Sequence, residues 1–273
     1  MPARALHRRC LCLAALALPA AAQDLPLFGE LHGETGFEFL GRPLFTDIDG
    51  DGDLDVFVLR WLDESHVFLN EGAAGLRRAP GPPVAGSHST SVAVGDVDGD
   101  GNVDLLVGNT FMETFGSPNS LYLGDGRGGF TLAQSSLPTP ASHAKTNGVA
   151  LFDADGDGDL DAFMGNAGGN PFSNELYLND GTGVFIDASG QLPVSICGQV
   201  LVLDVEGDGD PDLLLGNGAA DRILLNDGSG HFAFSPFKFP VAPAVQPMDA
   251  GDVDGDGDLD LLFGNQAQDW LML

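Results

Sequence analysis

The chain has 273 residues, of which 43% are hydrophobic and 8% aromatic. This is enough apolar content to bury a core, and it excludes a disordered chain. The chain carries 40 acidic against 11 basic residues, a formal net charge of −29 at pH 7. Such a charge excludes nucleic acid as a partner, because phosphate contacts need clusters of Lys and Arg.

The N-terminus has the pattern of a cleaved secretory signal. Arg4, Arg8 and Arg9 precede an apolar stretch at residues 10–18, and the three alanines that end at Ala22 offer a small-residue cleavage site. The apolar stretch is well short of the roughly 20 residues that a membrane-spanning helix needs. We therefore predict a signal peptide over the first 22 residues and cleavage near Ala22.

Removal of the signal changes the charge and the cysteine content. All 40 acidic residues lie after it, whereas three basic residues leave with it, so the mature chain has a formal charge of −32. Cys10 and Cys12 also leave, and Cys197 alone cannot form an intramolecular disulfide. Cys197 lies in an apolar stretch, which favours a buried thiol over a nucleophile. We predict that residues 23–273 form a single domain that is secreted or extracytoplasmic, in the periplasm or at the cell surface.

An acidic loop recurs five times in this predicted domain, at intervals of 49, 57, 51 and 48 residues. In every copy an apolar stretch leads into the loop and another follows it. A third stretch comes after a variable gap and leads to a turn, which in two copies reads Asn-Asp-Gly. The loops begin at Asp47, Asp96, Asp153, Asp204 and Asp252. A period of about 50 residues indicates a repeat architecture.

The short apolar stretches predict β-strands. They are bounded by Gly, Asn and Asp, and an Asp-Gly pair between two of them predicts a hairpin. A phenylalanine marks the fourth strand in three units, as Phe130, Phe185 and Phe232. Helical periodicity occurs nowhere in the mature chain. We predict an all-β fold, a β-propeller of about five four-stranded blades.

The two ends of the chain indicate how the ring closes. Phe185 lies 19 residues before the fourth loop, and Phe28 lies 19 residues before the first. Residues 269–273 align with a third strand and are followed by no fourth one. We expect a strand over Leu25–Leu31 to complete the last blade and to close the ring. The alternative is an array that merely starts and ends in mid-unit.

The loop sequence, D-x-D-x-D-G-x-x-D with one Glu substitution, suits a hard cation. Oxygen ligands at positions 1, 3, 5 and 9, a glycine at position 6 and a backbone carbonyl at position 7 are what Ca²⁺ needs. An EF-hand is excluded, because no copy has a Glu at position 12. Merely solvated acidic turns are disfavoured, because four clustered carboxylates repel one another.

The repeated unit resembles the FG-GAP and VCBS repeats of bacterial exported proteins, which are related to the calcium-binding blades of integrin α-subunit propellers. The resemblance rests on the acidic loop, the D-L-L-x-G-N continuation and the L-x-L-N-D-G-x-G-x-F hairpin, and it covers essentially residues 24–273. It implies that the loop joins the innermost strand to the next and holds calcium on one face of the disc. Such propellers usually have seven or eight blades, so five is a departure that leaves open whether this chain closes alone.

Carried over by position, the resemblance implies about five Ca²⁺ sites, each with four acidic side chains and one backbone carbonyl at position 7. The residues are Asp47, Asp49, Asp51, Asp53 and Asp55; Asp96, Asp98, Asp100, Asn102 and Asp104; Asp153, Asp155, Asp157, Asp159 and Asp161; Asp204, Glu206, Asp208, Asp210 and Asp212; and Asp252, Asp254, Asp256, Asp258 and Asp260. The fourth loop departs at Glu206, in position 3, and at Pro211, in position 8. We therefore expect the fourth site to be the weakest.

No catalytic constellation is visible, and we predict that the protein is not an enzyme. None of the mature histidines has metal-ligand or triad spacing, although two of them share a Ser-His context and could face one another across an axial pocket. A loop role without chemistry is favoured for both. The five are His32, His66, His88, His143 and His231.

Two long connections are the better candidates for binding. Residues 110–120 and 167–175 join the second and third strands of neighbouring blades and carry Phe111, Met112, Phe115 and Phe172. They form either a recognition surface opposite the calcium loops or small local cores. We predict a binding or adhesion module for a protein or glycan ligand. The alternative is a carbohydrate-active lyase or hydrolase built on the propeller.

Overall fold

Nineteen β-strands in five antiparallel sheets make up most of the regular structure of the described residues. The computed structural model describes residues 41–60, 64–79, 89–110, 118–138, 145–167, 174–216, 222–237, 239, 248–264 and 269–272. All of them belong to one compact unit of the chain, residues 39–273. The predicted signal peptide and the predicted closing strand, Leu25–Leu31, lie outside the described residues.

Every sheet is a meander in which neighbouring strands follow one another along the chain. The first blade contains β1 (Gly41–Thr46), β2 (Asp55–Arg60), β3 (His66–Asn70) and β4 (Leu76–Arg78), and the second contains β5 (Ser89–Gly95), β6 (Asp104–Asn109), β7 (Ser120–Gly124) and β8 (Phe130–Leu132). The third contains β9 (Thr146–Phe152), β10 (Asp161–Asn166), β11 (Glu175–Asn179) and β12 (Phe185–Asp187), and the fourth contains β13 (Gln199–Leu203), β14 (Asp212–Gly216), β15 (Arg222–Asn226) and β16 (Phe232–Phe234). Three strands of the fifth blade lie among the described residues: β17 (Met248–Gly251), β18 (Asp260–Phe263) and β19 (Trp270–Met272).

The blades form a five-bladed β-propeller, which confirms the predicted fold class. The described residues contain almost no helix, only the short 3-10 turns Gly72–Ala74, Gln134–Ser136 and Ser189–Gln191. From the second blade to the fifth, the first strands of consecutive blades touch, as expected for the strands nearest the propeller axis. For example, Ser91 Oγ accepts a hydrogen bond from Val149 N at 2.9 Å.

Each blade has one face toward the preceding blade and one toward the next, because successive residues of a strand point to opposite faces. In the fourth blade, Leu213 packs against the third blade, whereas its neighbour Leu214 packs against the fifth. Both side chains are fully buried. Four such clusters join the first to the second blade and so on to the fifth. None of the clusters formed by the described residues joins the fifth blade to the first.

The fourth-strand phenylalanines owe their repetition to these junctions. Phe130, Phe185 and Phe232 are all buried between their own blade and the preceding one. The Phe232 ring meets the ring of Phe152 edge to face, with centroids 6.3 Å apart. At the last junction Phe239, from the connection before β17, packs against the cluster. A large apolar side chain from the outermost strand thus helps to seal three of the four junctions.

Cys197 lies fully buried at the junction of the third and fourth blades, as its apolar context predicted. Burial raises the pKa of its thiol to about 12. The side chain is therefore a neutral packing group at physiological pH. Within the described part of the chain, no helix has the length and apolar character needed to cross a membrane.

Candidate metal centres

The acidic loops are built around the aspartate at position 1, as the third loop shows. Asp153 Oδ1 accepts a hydrogen bond from Gly156 N at 2.8 Å, and its Oδ2 accepts one from Gly158 N at 3.0 Å. Both glycines have positive φ, 77° and 96°, a conformation that other residues adopt only at a cost. The glycines at positions 4 and 6 therefore let the backbone fold tightly around this carboxylate.

The aspartate at position 9 accepts hydrogen bonds from two backbone N–H groups, one in its own loop and one in the third strand. Asp161 is fully buried, and its Oδ2 accepts a hydrogen bond from Ala154 N while its Oδ1 accepts one from Asn179 N, both at 2.8 Å. Asp104 is bound in the same way by Val97 N and Gly124 N. The equivalent carboxylates of the other loops also accept from the backbone N at loop position 2; they are Asp55, Asp212 and Asp260.

Burial sets the electrostatics of these carboxylates. Desolvation raises the pKa of both Asp104 and Asp161 to about 6, although the backbone N–H donors lower it. The pKa of Asp155, at position 3, is also raised, first by desolvation and then by the charges of Asp157 and Asp153. Without a counterion these loops hold negative charge at a cost.

Carboxylates from positions 1, 3 and 9 converge in four of the five loops. One oxygen from each lies within 4.8 Å of the other two in the sets Asp47, Asp49 and Asp55; Asp96, Asp98 and Asp104; Asp153, Asp155 and Asp161; and Asp252, Asp254 and Asp260. The aspartates at position 5 of these loops accept hydrogen bonds from the backbone N at position 7 and shape the turn. The structure thus brings together three of the four side chains that the sequence assigned to each of these sites.

The fourth loop differs among the described residues, because its acidic groups form no such set. Asp204 accepts from Gly207 N and Gly209 N, so the turn itself is kept. Desolvation and the charges of Asp208 and Asp212 raise the pKa of Glu206. Glu206 is one methylene longer than the aspartate at position 3 of the other loops, so its carboxylate lies farther from its own backbone.

The next blade covers the first three loops. The apolar residues at loop position 2 are buried there, as Ile48, Val97 and Ala154, each no more than 3% exposed. The same position is 45% exposed at Val205 and 64% exposed at Val253. The fourth and fifth loops are therefore more open to solvent than the first three.

The donor set fits a hard cation. Asp49 Oδ1 and Asp155 Oδ1, both at position 3, are buried and have no hydrogen-bond partner. Buried polar atoms are nearly always paired, so an unpaired carboxylate oxygen beside two other carboxylates fits a site for a positive ion. All the convergent donors are oxygens, which Ca²⁺ prefers. The residues at positions 1, 3 and 9 would hold the ion.

The side chain at position 7 lies on the turn between the third and fourth strands. A Cβ at Gly181 would lie 2.5 Å from Asp159 Oδ2, and one at Gly228 would lie 2.5 Å from Asp210 Oδ2. Both glycines also have positive φ. The Gly of the Asn-Asp-Gly turn is thus favoured by its conformation, and a side chain in its place would have to displace the carboxylate at position 7.

Sequence reasoning missed the role of the asparagine that precedes this turn. Asn179 and Asn226 end β11 and β15, and their side chains are buried against the acidic loop of the preceding blade. The recurrence of Asn at the end of the third strand could have indicated this contact between blades, but Asn is equally typical of the turn that follows.

The predicted recognition residues lie outside the described part of the chain. They are Phe111, Met112, Phe115 and Phe172. Three of the mature histidines, His32, His88 and His143, also lie outside it. Of the described histidines, His66 Nδ1 lies 3.0 Å from an Arg78 guanidinium nitrogen, and His231 Nδ1 lies 3.2 Å from Ser229 Oγ. Neither of these two has a triad or metal-ligand geometry.

The fold and the loops define a β-propeller with repeated acidic loops, whose oxygen donors fit a hard cation. The FG-GAP-like repeat family matches the chain at residues 47–107 and 204–263. Together with the five blades, these matches confirm the predicted resemblance to FG-GAP repeats. No curated protein matches it.

Three solved structures are similar to the chain. A lectin from Agrocybe aegerita that recognises non-reducing terminal N-acetylglucosamine is 21% identical, with a TM-score of 0.53 over 82% of this chain and 60% of the lectin chain. The Tc holotoxin pore of Photorhabdus luminescens is 22% identical, with a TM-score of 0.47 over 84% of this chain and 11% of that one. The biofilm matrix protein Bap1 of V. cholerae is 17% identical, with a TM-score of 0.39 over 82% and 34%. The chain thus spans less than two thirds of each.

Proposed function

We propose that this protein is an exported, calcium-binding β-propeller that acts as an interaction module. The observation that carries the calcium assignment is the convergence of three carboxylates in four loops, with unpaired buried oxygens at Asp49 and Asp155. About five Ca²⁺ ions bind, the fourth most weakly. Each bound ion stabilises the folded chain, since the unfolded loops cannot present the same ligands.

The proposed partner is a glycan or a protein. FG-GAP propellers are typically non-catalytic interaction modules, which supports binding over catalysis. The Agrocybe aegerita lectin supports a glycan as the first ligand class to test, because that protein recognises non-reducing terminal N-acetylglucosamine. This support is an analogy between folds, so the ligand itself must be found by screening.

The calcium assignment is tested by isothermal titration of the metal-stripped protein with Ca²⁺. The titration should extend to millimolar calcium, because extracellular modules bind at roughly 10⁻⁴ to 10⁻³ M. Heat from about five sites is expected, and Mg²⁺ should compete poorly because it demands a smaller octahedral site. An absence of binding heat up to 10⁻² M calcium would contradict the assignment.

The partner is tested on glycan and protein arrays that include terminal N-acetylglucosamine, with calcium and with chelator. Asp155→Ala, which removes a position-3 ligand, serves as the matched variant. Ligand binding that needs calcium and weakens in the variant supports a calcium-organised interaction module. Turnover of a polysaccharide by the purified protein would favour the alternative, a lyase or hydrolase.

The exported location is tested separately. It rests on the predicted signal peptide, residues 1–22. N-terminal sequencing of the protein recovered outside the cytoplasm should start at Gln23. Recovery of uncleaved protein from the cytoplasm would contradict export.

A further inference from the structure

Hydrogen bonds lead from one acidic loop to the next through the asparagine that ends the third strand. Asn179 Nδ2 donates to Val97 O, in the second loop, at 2.7 Å, and to Leu160 O, in the third loop, at 3.1 Å. Its backbone N donates to Asp161 Oδ1 at 2.8 Å. With 6% of its surface exposed, Asn179 is a buried link between two loops of different blades.

The same link recurs at the following junction. Asn226 is 4% exposed, its Nδ2 donates to Ala154 O at 2.8 Å, and its backbone N donates to Asp212 Oδ1 at 2.8 Å. Ala154 belongs to the third loop and Asp212 to the fourth. Two consecutive junctions therefore carry equivalent bonds between loops.

The residues at loop position 2 connect these links into one series of hydrogen bonds. Val97 N donates to Asp104 Oδ2, and Ala154 N donates to Asp161 Oδ2, both at 2.8 Å. Each of these residues thus gives its N–H to its own loop and its carbonyl to the next blade. The resulting chain of hydrogen bonds passes through Asp104, Val97, Asn179, Asp161, Ala154, Asn226 and Asp212.

Among the described residues, this series of hydrogen bonds does not reach the first loop. Gly124 occupies in the second blade the position that Asn179 occupies in the third. Its backbone N still donates to Asp104 Oδ1, but a glycine has no side chain to extend to the preceding loop. Asn70 occupies the position in the first blade, and its Nδ2 donates to Leu54 O of its own loop. The first loop therefore serves as an internal control, a loop that the described hydrogen bonds do not connect to the second, third and fourth loops.

We propose that cation binding in the second, third and fourth loops is coupled through this chain, with Asn179 and Asn226 as the positioning residues. The inference rests on the proposed calcium function. Asp161, once held as a ligand in the third loop, fixes the Asn179 N–H, and the Asn179 amide then fixes the carbonyl of Val97, whose N–H orients Asp104. Hydrogen-bond networks between packed elements carry coupling between sites in this way, because a shift of one member displaces the next.

Hydrogen exchange measured by mass spectrometry during a calcium titration tests the coupling, because peptides covering each loop report that loop's own midpoint. The variant Asp155→Ala removes a ligand of the third loop only. In this variant the midpoint of residues 96–104 should move to about fivefold higher calcium or more, the range typical of coupled sites. The midpoint of residues 47–55, in the unlinked first loop, should stay in place.

A double-mutant cycle identifies the residue that carries the coupling. In an Asn179→Ala background, adding Asp155→Ala should no longer move the midpoint of residues 96–104. Asn70→Ala is the matched control, since it removes the same residue type from the first blade and should change residues 47–55 alone. If Asn179→Ala does not fold, Asn226→Ala provides the same cycle one junction later, read at residues 153–161 with Glu206→Ala, the position-3 variant of the fourth loop.

The outcomes separate the two proposals. A second loop that titrates identically in wild type and Asp155→Ala overturns the coupling while leaving calcium binding intact. A wild-type protein in which no loop gains protection with calcium overturns the proposed function, and the coupling with it.

Discussion

At the residue scale, the aspartate at position 9 does more than the sequence assigned to it. The motif predicted a metal ligand, but Asp104 and Asp161 are also fully buried acceptors for backbone N–H groups of their own loop and of the third strand. Their repetition along the chain therefore serves loop construction as well as the proposed cation binding. Sequence spacing predicts the cation site, whereas the role in loop construction depends on contacts that only the fold creates.

The raised pKa values of Asp104 and Asp161 predict that the calcium-free protein becomes less stable as the pH rises. A carboxyl whose pKa is raised in the folded state favours the fold while it is protonated, so Asp104 and Asp161 lose that contribution as the pH rises from about 4 through about 6. In metal-stripped buffer the melting temperature should therefore be lower at about pH 7.5 than at about pH 5. Saturating calcium should reverse the order, because the ion needs deprotonated ligands. A calcium-free protein that gains stability over this range would contradict the assignment.

The position-3 residues predict a ranking of sites. Asp155→Ala should reduce the calcium-dependent part of the unfolding free energy by at least about 1.4 kcal/mol, equivalent to a tenfold loss of affinity at one site. In chelator the same change should cost little, because it removes a carboxylate that its neighbours repel. Glu206→Ala should have a smaller effect in calcium. Chemical denaturation of both variants, with and without calcium, measures the difference, and equal losses would show that the fourth loop is a full site.

At the element scale, the sequence predicted the strands well because their signals are local. Apolar stretches, Asp-Gly turns and the recurrent phenylalanine each lie within one unit of about 50 residues. The links through Asn179 and Asn226 could not be predicted in this way, since their partners lie 82 and 72 residues away. Such contacts exist only once two blades are packed together.

Strand β16 offers a matched pair of phenylalanines for testing the blade junctions. Phe232 is 7% exposed at the junction with the third blade, whereas Phe234, two residues on, is 46% exposed under Arg222. Phe232→Ala should cost about 3–5 kcal/mol of unfolding free energy. Phe234→Ala should cost about 1 kcal/mol or less, the size of an exposed cation–π contact. Urea denaturation measures both values, and similar losses would contradict the proposed sealing role of Phe232.

At the scale of the whole molecule, the number of blades and their order followed from the repeat, but closure of the ring did not. Packing clusters join consecutive blades from the first to the fifth. The strand expected to close the ring, Leu25–Leu31, lies outside the described residues. A repeat predicts each blade from its own sequence, whereas closure depends on one pairing between the two ends of the chain.

Closure by the N-terminal strand stays a prediction, and deletion tests it. Removing residues 23–31 would remove Phe28, so the chain should lose about 3–5 kcal/mol and associate through the open edge of the last blade. A cysteine pair near Phe28 and Met272, in a Cys197→Ala background that keeps this packed position apolar, should crosslink within one chain. Crosslinking only between chains would show an open array that closes by association.

The central claim is that cations in the acidic loops hold the propeller together, and the melting temperature as a function of free calcium tests it most directly. At calcium about 100 times the dissociation constant, each occupied site adds about 2.7 kcal/mol to the unfolding free energy. For a chain of this size that corresponds to a rise of about 5–10 °C per site. With dissociation constants of roughly 10⁻⁴ to 10⁻³ M, this excess is reached at about 10⁻² to 10⁻¹ M calcium, so we expect the midpoint to rise through the millimolar range and beyond, and chelator to reverse the rise. A midpoint that is the same in chelator and in millimolar calcium would contradict the claim.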